Sequence, residues 1–184
     1  MGGGARANKD GLNFGSAPGS TTTSRLNAEN AEAMGPILVL FSKSRQDSGG
    51  AGKFRGGISG ESAFKLHGVN KAEALVFWVG KGLAASGIFG GNPGTPSMIA
   101  IKKNSNIMEL LPKNLPSWND IAGEAQILSG SNPPILLDER DVILLSSAGG
   151  GGYGDPLERN PHLVLEDVRE GYVSIEKASD DYGV

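Results

Sequence analysis

Asp141-Val142-Ile143-Leu144-Leu145-Ser146-Ser147-Ala148-Gly149-Gly150-Gly151-Gly152-Tyr153-Gly154-Asp155-Pro156 holds the two features that decide the fold. Its first half, Asp141 to Leu145, is a short apolar run of strand length. The strand then runs into four consecutive glycines, which suit positive φ or a close approach of another backbone segment. Past Pro156 the period changes to a helical one.

Both features recur toward the N-terminus. Glycine accounts for 29 of 184 residues, clustered at Gly2–Gly4, Gly49–Gly60, Gly87–Gly94 and Gly149–Gly154, with no collagen period. Between the clusters lie apolar runs. Ile37-Leu38-Val39-Leu40-Phe41 reads as the first strand, and Ser62 to His67 alternates as a half-buried strand does. Ala74 to Val79 is a further apolar run, and Met98 to Lys102 a short strand. Residues 1–33 are polar and lack periodicity, the composition of disorder. Prolines 112, 116, 133 and 134 mark 104–134 as irregular.

The C-terminus is helical in pattern. Asn160-Pro161 is an N-cap followed by proline at the first helical position, and Gly171 is the stop. Leu163, Val164 and Val168 are expected to face the core. Ser174 caps a second helix through Tyr182. The expected fold is a β-rich α+β domain with glycine-rich loops and a C-terminal helical hairpin. An irregular arm spans 1–33, a β-rich core 34–148, and the glycine loop with its hairpin 149–184.

Composition excludes several classes. A net charge of −3 with scattered Lys and Arg argues against nucleic acid. No apolar run reaches the roughly 18 residues of a membrane span. Met-Gly-Gly-Gly-Ala-Arg shows no apolar h-region. The absence of cysteine removes disulfides, thiolate nucleophiles and Cys-based metal sites. A cytoplasmic protein is expected.

The motifs that invite a catalytic reading fail on spacing. A phosphate loop requires Gly-x-x-x-x-Gly-Lys and then Ser or Thr. Here Gly52-Lys53 is preceded at the first glycine position by Asp47 and followed by Phe54. Gly149–Gly154 lacks dinucleotide-loop spacing, and Pro156 bars an early helix. Amides of a four-glycine run suit an anion, but nothing marks one. His67 and His162 have no partners at metal-ligand spacing, and neither Ser48 nor Ser147 lies in a nucleophile elbow. Asp155, before Pro156, reads as a turn cap.

Three ordered blocks nevertheless resemble the C-terminal signature of the hydantoinase B/oxoprolinase family. They are Asp47 to Gly57, Gly87 to Gly94, and Gly149 to Arg159. Gly2 to Arg6 with Lys9-Asp10-Gly11 resembles the opening of that region, and Asp167–Ser174 with Asp181–Val184 its ending. Ser59-Gly60 departs from the family's usual Leu-Gly, Asn92 stands where a basic residue is common, and the loop from Asn104 to Pro134 is longer than typical. Met1 falls where the family is mid-chain, which implies a split or fragmentary gene.

The resemblance implies a subunit of an ATP-dependent enzyme that opens cyclic amides such as hydantoins or 5-oxoproline, by phosphorylating the amide oxygen. This chain would complete or brace the site, not catalyse alone. A component of an acetone- or acetophenone-type carboxylase is the alternative, and a truncated non-catalytic remnant another. The implied partners are a hydantoinase A-type ATP-binding subunit and the N-terminal part of a B-type subunit. ATP and a divalent metal are expected in those partners, with no cofactor and no metal on this chain. Candidate contacts to substrate or phosphate are Lys53, Arg55 and Tyr153, because charge-assisted donors stabilise a developing oxyanion. Gly49, Gly50, Gly52, Gly90, Gly91, Gly150, Gly151 and Asp155 are the candidate loop or interface residues.

Overall fold

The strand read from Asp141–Leu145 is β7 (Val142–Ser146), the centre of an antiparallel five-stranded sheet. The computed structural model describes residues 1–15, 27–76, 83–112, 117–128 and 132–184. On one side of β7 lie β2 (Ser59–Leu66) and then β1 (Ile37–Arg45). On the other lie β4 (Met98–Lys103) and then β5 (Glu124–Ile127). A separate ribbon pairs β3 (Lys71–Ala74) with β6 (Ile135–Asp138). With α-helices besides, the fold is α+β.

Strand β1 shows how an uninterrupted apolar run serves a sheet. Val39 pairs with Phe64 but Phe41 with Ala63, so Leu40 is the extra residue of a bulge. The bulge lets Leu40 and Phe41 join Leu38 on one face, over Ala63, Ala100, Val142 and Leu144. The short helix α2 (Ile107–Leu110) and Ile121 close that face. On the opposite face the ribbon brings Leu137 against Leu66, Ile101 and Ile143.

Several expectations need correction. Segment 104–134, expected to be irregular, carries α2 and β5. The approach to β5 is fixed from β4: the Lys102 ammonium donates to the Trp118 and Ile121 carbonyls at 2.7 and 2.6 Å and sits 4.4 Å over the Trp118 ring. The Ala74–Val79 run is not a strand along its length. β3 ends at Ala74 with its register to Ile135, and Phe77–Val79 fall outside the described residues. Helix α1 (Ala28–Met34) lies within the stretch expected to be an irregular arm, capped by the Asn27 side chain.

The helical hairpin consists of α3 (Pro161–Arg169) and α4 (Ile175–Tyr182). Asn160 caps α3 by accepting from the His162 amide, and Ser174 caps α4 by accepting from Lys177. Gly171 and Gly183 both have φ of 70°, the left-handed stop that glycine provides without strain. Val164, Val168, Val173, Ala178 and Tyr182 pack over Ala51. Leu163, expected to face the core, lies on the exposed side, because the inward stripe runs through Val164, Asp167 and Val168.

Candidate functional site

Where β7 ends, the chain stays extended through Gly149–Gly152 and becomes the centre of a bundle of glycine-rich segments. The Ala148 and Gly151 carbonyls accept from the Gly2 and Ala5 amides at 2.8 and 2.9 Å. The Gly149 and Gly152 amides donate to the Thr95 and Asn92 carbonyls, each at 2.9 Å. Each neighbour is met every third residue. A chain of three residues per turn behaves this way, and a pleated strand of period two does not. Between these contacts Gly150 donates to Gly57 and accepts from Gly50.

Only glycine permits this spacing. A Cβ on Gly149 would overlap the Ser48 carbonyl oxygen, and one on Gly150 that of Gly3. The four-glycine cluster therefore admits neighbouring backbones of the same chain. Its bonded amides are not free to cradle an anion. The same holds around Lys53, where the Gly50, Lys53 and Phe54 amides donate to the Gly150, Gly154 and Tyr153 carbonyls. Residues 1–15, whose composition suggested disorder, are ordered here. Gly3 donates to Leu12, Gly11 to Arg55, and Phe14 to Ile58.

The candidate side chains divide between two sides of the bundle. Lys53 is half exposed and forms an ion pair with Glu158 at 2.9 Å. Tyr153 packs with aromatic rings, its own 6.5 Å from Phe54 and 5.2 Å from Phe89. Arg55 turns inward and is 3% exposed. Its guanidinium bonds Asp167 at 3.0 Å and the Gly56 carbonyl at 2.7 Å, and lies 5.4 Å over the Tyr172 ring. Lys53 is therefore open to solvent beside Glu158, Tyr153 is half-buried among Phe54 and Phe89, and Arg55 belongs to the interior. Gly49, Gly50, Gly52, Gly150 and Gly151 sit among the bundle's own backbones. Gly90 and Gly91 pack against Gly152–Asp155, and the Asp155 side chain caps the turn by accepting from the Leu157 amide.

Arg55 is one corner of a buried network that composition and spacing did not single out. Arg159, 4% exposed, forks onto Asp10 with two bonds of 2.8 Å and reaches Asp167 at 2.7 Å. Asp10 also accepts from the Arg55 amide at 2.8 Å. Two guanidinium and two carboxylate groups balance in charge, which is what makes their burial tolerable. Burial alone would raise the Asp10 pKa. The Arg159 hydrogen bond and charge and the Arg55 amide outweigh it, so the carboxyl titrates below its ordinary value. Burial likewise disfavours charge on Arg159, but Asp10 overrides it and holds the guanidinium charged. The network joins arm, bundle and hairpin.

The hairpin leaves a cavity of about 270 Å³ against the bundle, lined by Asp47, Asn92, Thr95, Lys177, Asp181 and Tyr182 among others. Asp47 lies at φ 57°, a left-handed conformation that aspartate tolerates. Its carboxylate accepts from Ser174, and its amide donates to the Tyr172 carbonyl. Among the described residues no three His, Asp or Glu side chains gather to hold a metal ion. His67 and His162 are exposed and lie on different parts of the chain, one just after β2 and one in α3. No helix among the described residues is long and apolar enough to cross a membrane.

Comparison with known proteins places this arrangement. Residues 1–156 match the family model described as hydantoinase B/oxoprolinase. The chain is 30% identical to the acetone carboxylase alpha subunit of Xanthobacter autotrophicus, over 98% of its own length and 25% of that subunit. A nucleotide-free structure of acetone carboxylase superposes on the whole chain with a TM-score of 0.82 and 29% identity, over 26% of that polypeptide. The ATP-dependent caprolactamase of Pseudomonas jessenii superposes with a TM-score of 0.70 and 25% identity, over the whole chain and 29% of its own length. The chain therefore spans about a quarter of the relatives it matches.

Proposed function

The chain belongs to the hydantoinase B/oxoprolinase family, and from that premise we propose that it is a component of an ATP-dependent enzyme that opens cyclic amides. The observation that carries this reading is the family match over residues 1–156 together with whole-chain superposition on an ATP-dependent caprolactamase, named for a cyclic amide. The chain's part is to brace or complete a site. Its glycine bundle forms a stiff base, since nearly every turn is fixed by bonds to other segments. On that base the bundle carries the exposed Lys53 and the half-buried Tyr153.

In this role the Lys53 ammonium supplies positive charge to a phosphorylated intermediate, and Tyr153 packs against its bearer. Arg55 acts from behind, holding the loop through Asp167. ATP is assigned to a hydantoinase A-type partner and the divalent metal to the N-terminal part of a B-type subunit. The described residues of this chain gather no ligand set for the metal.

A carboxylase role is the second reading, favoured by the higher TM-score with acetone carboxylase, 0.82 against 0.70. Reconstitution separates the two. The purified chain, an A-type subunit and the N-terminal part of a B-type subunit are combined with ATP and 5-oxoproline, hydantoin or acetone. Ring opening with ATP consumption that depends on this chain supports the amide reading. Turnover of acetone that requires bicarbonate replaces it with the carboxylase reading. Turnover independent of this chain overturns both.

A further inference from the structure

The sheet carries apolar residues on two faces, but the described chain closes only one of them fully. Strand β7 reads Val142-Ile143-Leu144-Leu145, a continuous apolar run of the kind found in strands covered on both sides. Val142, Ile143 and Leu144 are at most 5% exposed, yet Leu145, on the central strand of five, is 41% exposed. Strand β1 repeats the pattern. Leu38, Leu40 and Phe41 reach the closed core, while Ile37 and Val39 point to the other side with Phe64 and Leu145.

That side forms an apolar trough. A cavity of about 520 Å³ lies between α1 and the sheet, lined by Ala28, Ala31, Ile37, Val39, Phe64 and Leu145 among others. A second, of about 500 Å³, shares Ile37, Phe64 and Leu145 and continues over Ile99 to Leu75, itself 62% exposed. Among the described residues lining the two, Glu73 is the one that carries a charge. Helix α1 crosses the trough without burying any of its own residues in it.

Resting on the family reading above, we propose that this trough is the seat of an apolar, helical or extended segment from the rest of a hydantoinase B-type polypeptide. The occupant follows from length and chemistry together. This chain matches about a quarter of relatives that superpose over its whole extent, so three quarters of such a polypeptide lie outside the matched region. A surface with a single charge offers nothing to a charged ligand. A two-faced apolar sheet, by contrast, is completed when a second layer covers it, and an open apolar patch of this kind marks an interaction surface.

The test uses the full chain with p-benzoylphenylalanine installed at Leu145 or, in a second preparation, at Leu75. A control carries it at Glu176 on α4. The probe is the Xanthobacter autotrophicus acetone carboxylase alpha subunit with its matched quarter removed. Crosslinks from 145 and 75 to the probe, with none from 176, are expected. Leu145→Gln and Leu75→Asp, both at exposed positions, are expected to weaken binding at least about tenfold without changing the circular dichroism spectrum or melting temperature. Absence of binding, binding that crosslinks only from 176, or crosslinks from 145 to a second copy of this chain would each overturn the proposal. Crosslinking at the trough in a complex with no ATP-dependent turnover would remove the functional reading and leave this one. Turnover without trough crosslinks would do the reverse.

Discussion

Arg159 and Asp10, 149 residues apart in sequence, meet through two parallel hydrogen bonds of 2.8 Å, Nη1 to Oδ1 and Nη2 to Oδ2. The pair joins the arm to the start of the hairpin, and Asp167 passes the connection on to Arg55. A fork of this kind depends on the planar guanidinium. Arg159→Lys is therefore expected to destabilise the fold by about 3 kcal/mol, because one ammonium cannot satisfy both Asp167, which is buried, and Asp10. Asp10→Asn should cost less, on the order of 2 kcal/mol, since its side chain is 30% exposed. Urea unfolding measures both. Amide exchange over Gly2–Leu12 should accelerate before that of the sheet, since this pair and a few backbone bonds to the glycine bundle hold the arm in place.

Asp10 also gives the fold an acid limit. Its folded pKa lies below the ordinary 3.8. A depressed carboxyl contributes stability that is fully present above the unfolded value and is lost as pH falls through the folded one. The urea midpoint should accordingly drop as pH is lowered from about 5 toward 2. In Asp10→Asn that drop should be smaller, and an identical pH profile in the two proteins would show that Asp10 does not set the limit.

The elements that were legible in the sequence are those whose stabilising residues are neighbours in the chain. The caps at Asn160, Ser174, Gly171 and Asp155 act over two or three positions, and all stand where their residue types suggest. The apolar strands at Ile37 and Val142 were legible for the same reason. The glycine bundle was visible as composition but not as architecture. Its segments are joined by bonds between residues far apart in sequence, such as Gly2 to Ala148 and Gly150 to Gly57, and a run of glycines looks the same whether it loops outward or threads between backbones. The order of residues 1–15 was hidden because Asp10 and Gly3 find their partners at Arg159, Arg55 and Gly57. Arg55 was the least legible: a cation in a glycine loop suggests an anion, whereas its burial beside Asp167 is a fact of the tertiary fold alone. The β5 strand was missed because the ammonium that fixes its approach, Lys102, sits on another element.

Close packing makes the glycines unequal, and two alanine substitutions separate the cases. At Gly150 a new Cβ would overlap the Gly3 carbonyl, where backbone on both sides leaves no room to yield. Gly150→Ala is expected to cost more than about 4 kcal/mol, the range of severe overpacking, and to appear as loss of soluble folded protein. At Gly4 nothing lies within 4 Å of a Cβ. Gly4→Ala should stay within about 0.5 kcal/mol of the parent in thermal unfolding, or gain slightly from a stiffer unfolded chain. Equal effects at the two positions would contradict the threaded bundle.

At the alkaline end the sensitive group is Tyr182, in the last turn of α4 and 5% exposed. Burial pushes its phenol up to about 12 from an ordinary 10, with Asp167 adding to the shift and Arg159, whose guanidinium lies 5.9 Å from the ring centre, opposing it. A raised pKa means that the folded state holds the proton longer than the unfolded chain does. The associated stability is complete below pH 10 and is lost as pH climbs through about 12. A shift of that size corresponds to a loss on the order of 2 kcal/mol across the window. Lysines titrate in the same range, so the informative quantity is a difference. Tyr182→Phe keeps the ring against Ala51 and Val164 but has no proton to lose. Its urea midpoint should fall less than the parent's between pH 10 and 12. Parallel curves would mean that the phenol ionises as readily in the folded protein as in the unfolded one, and that the hairpin does not shield it from water.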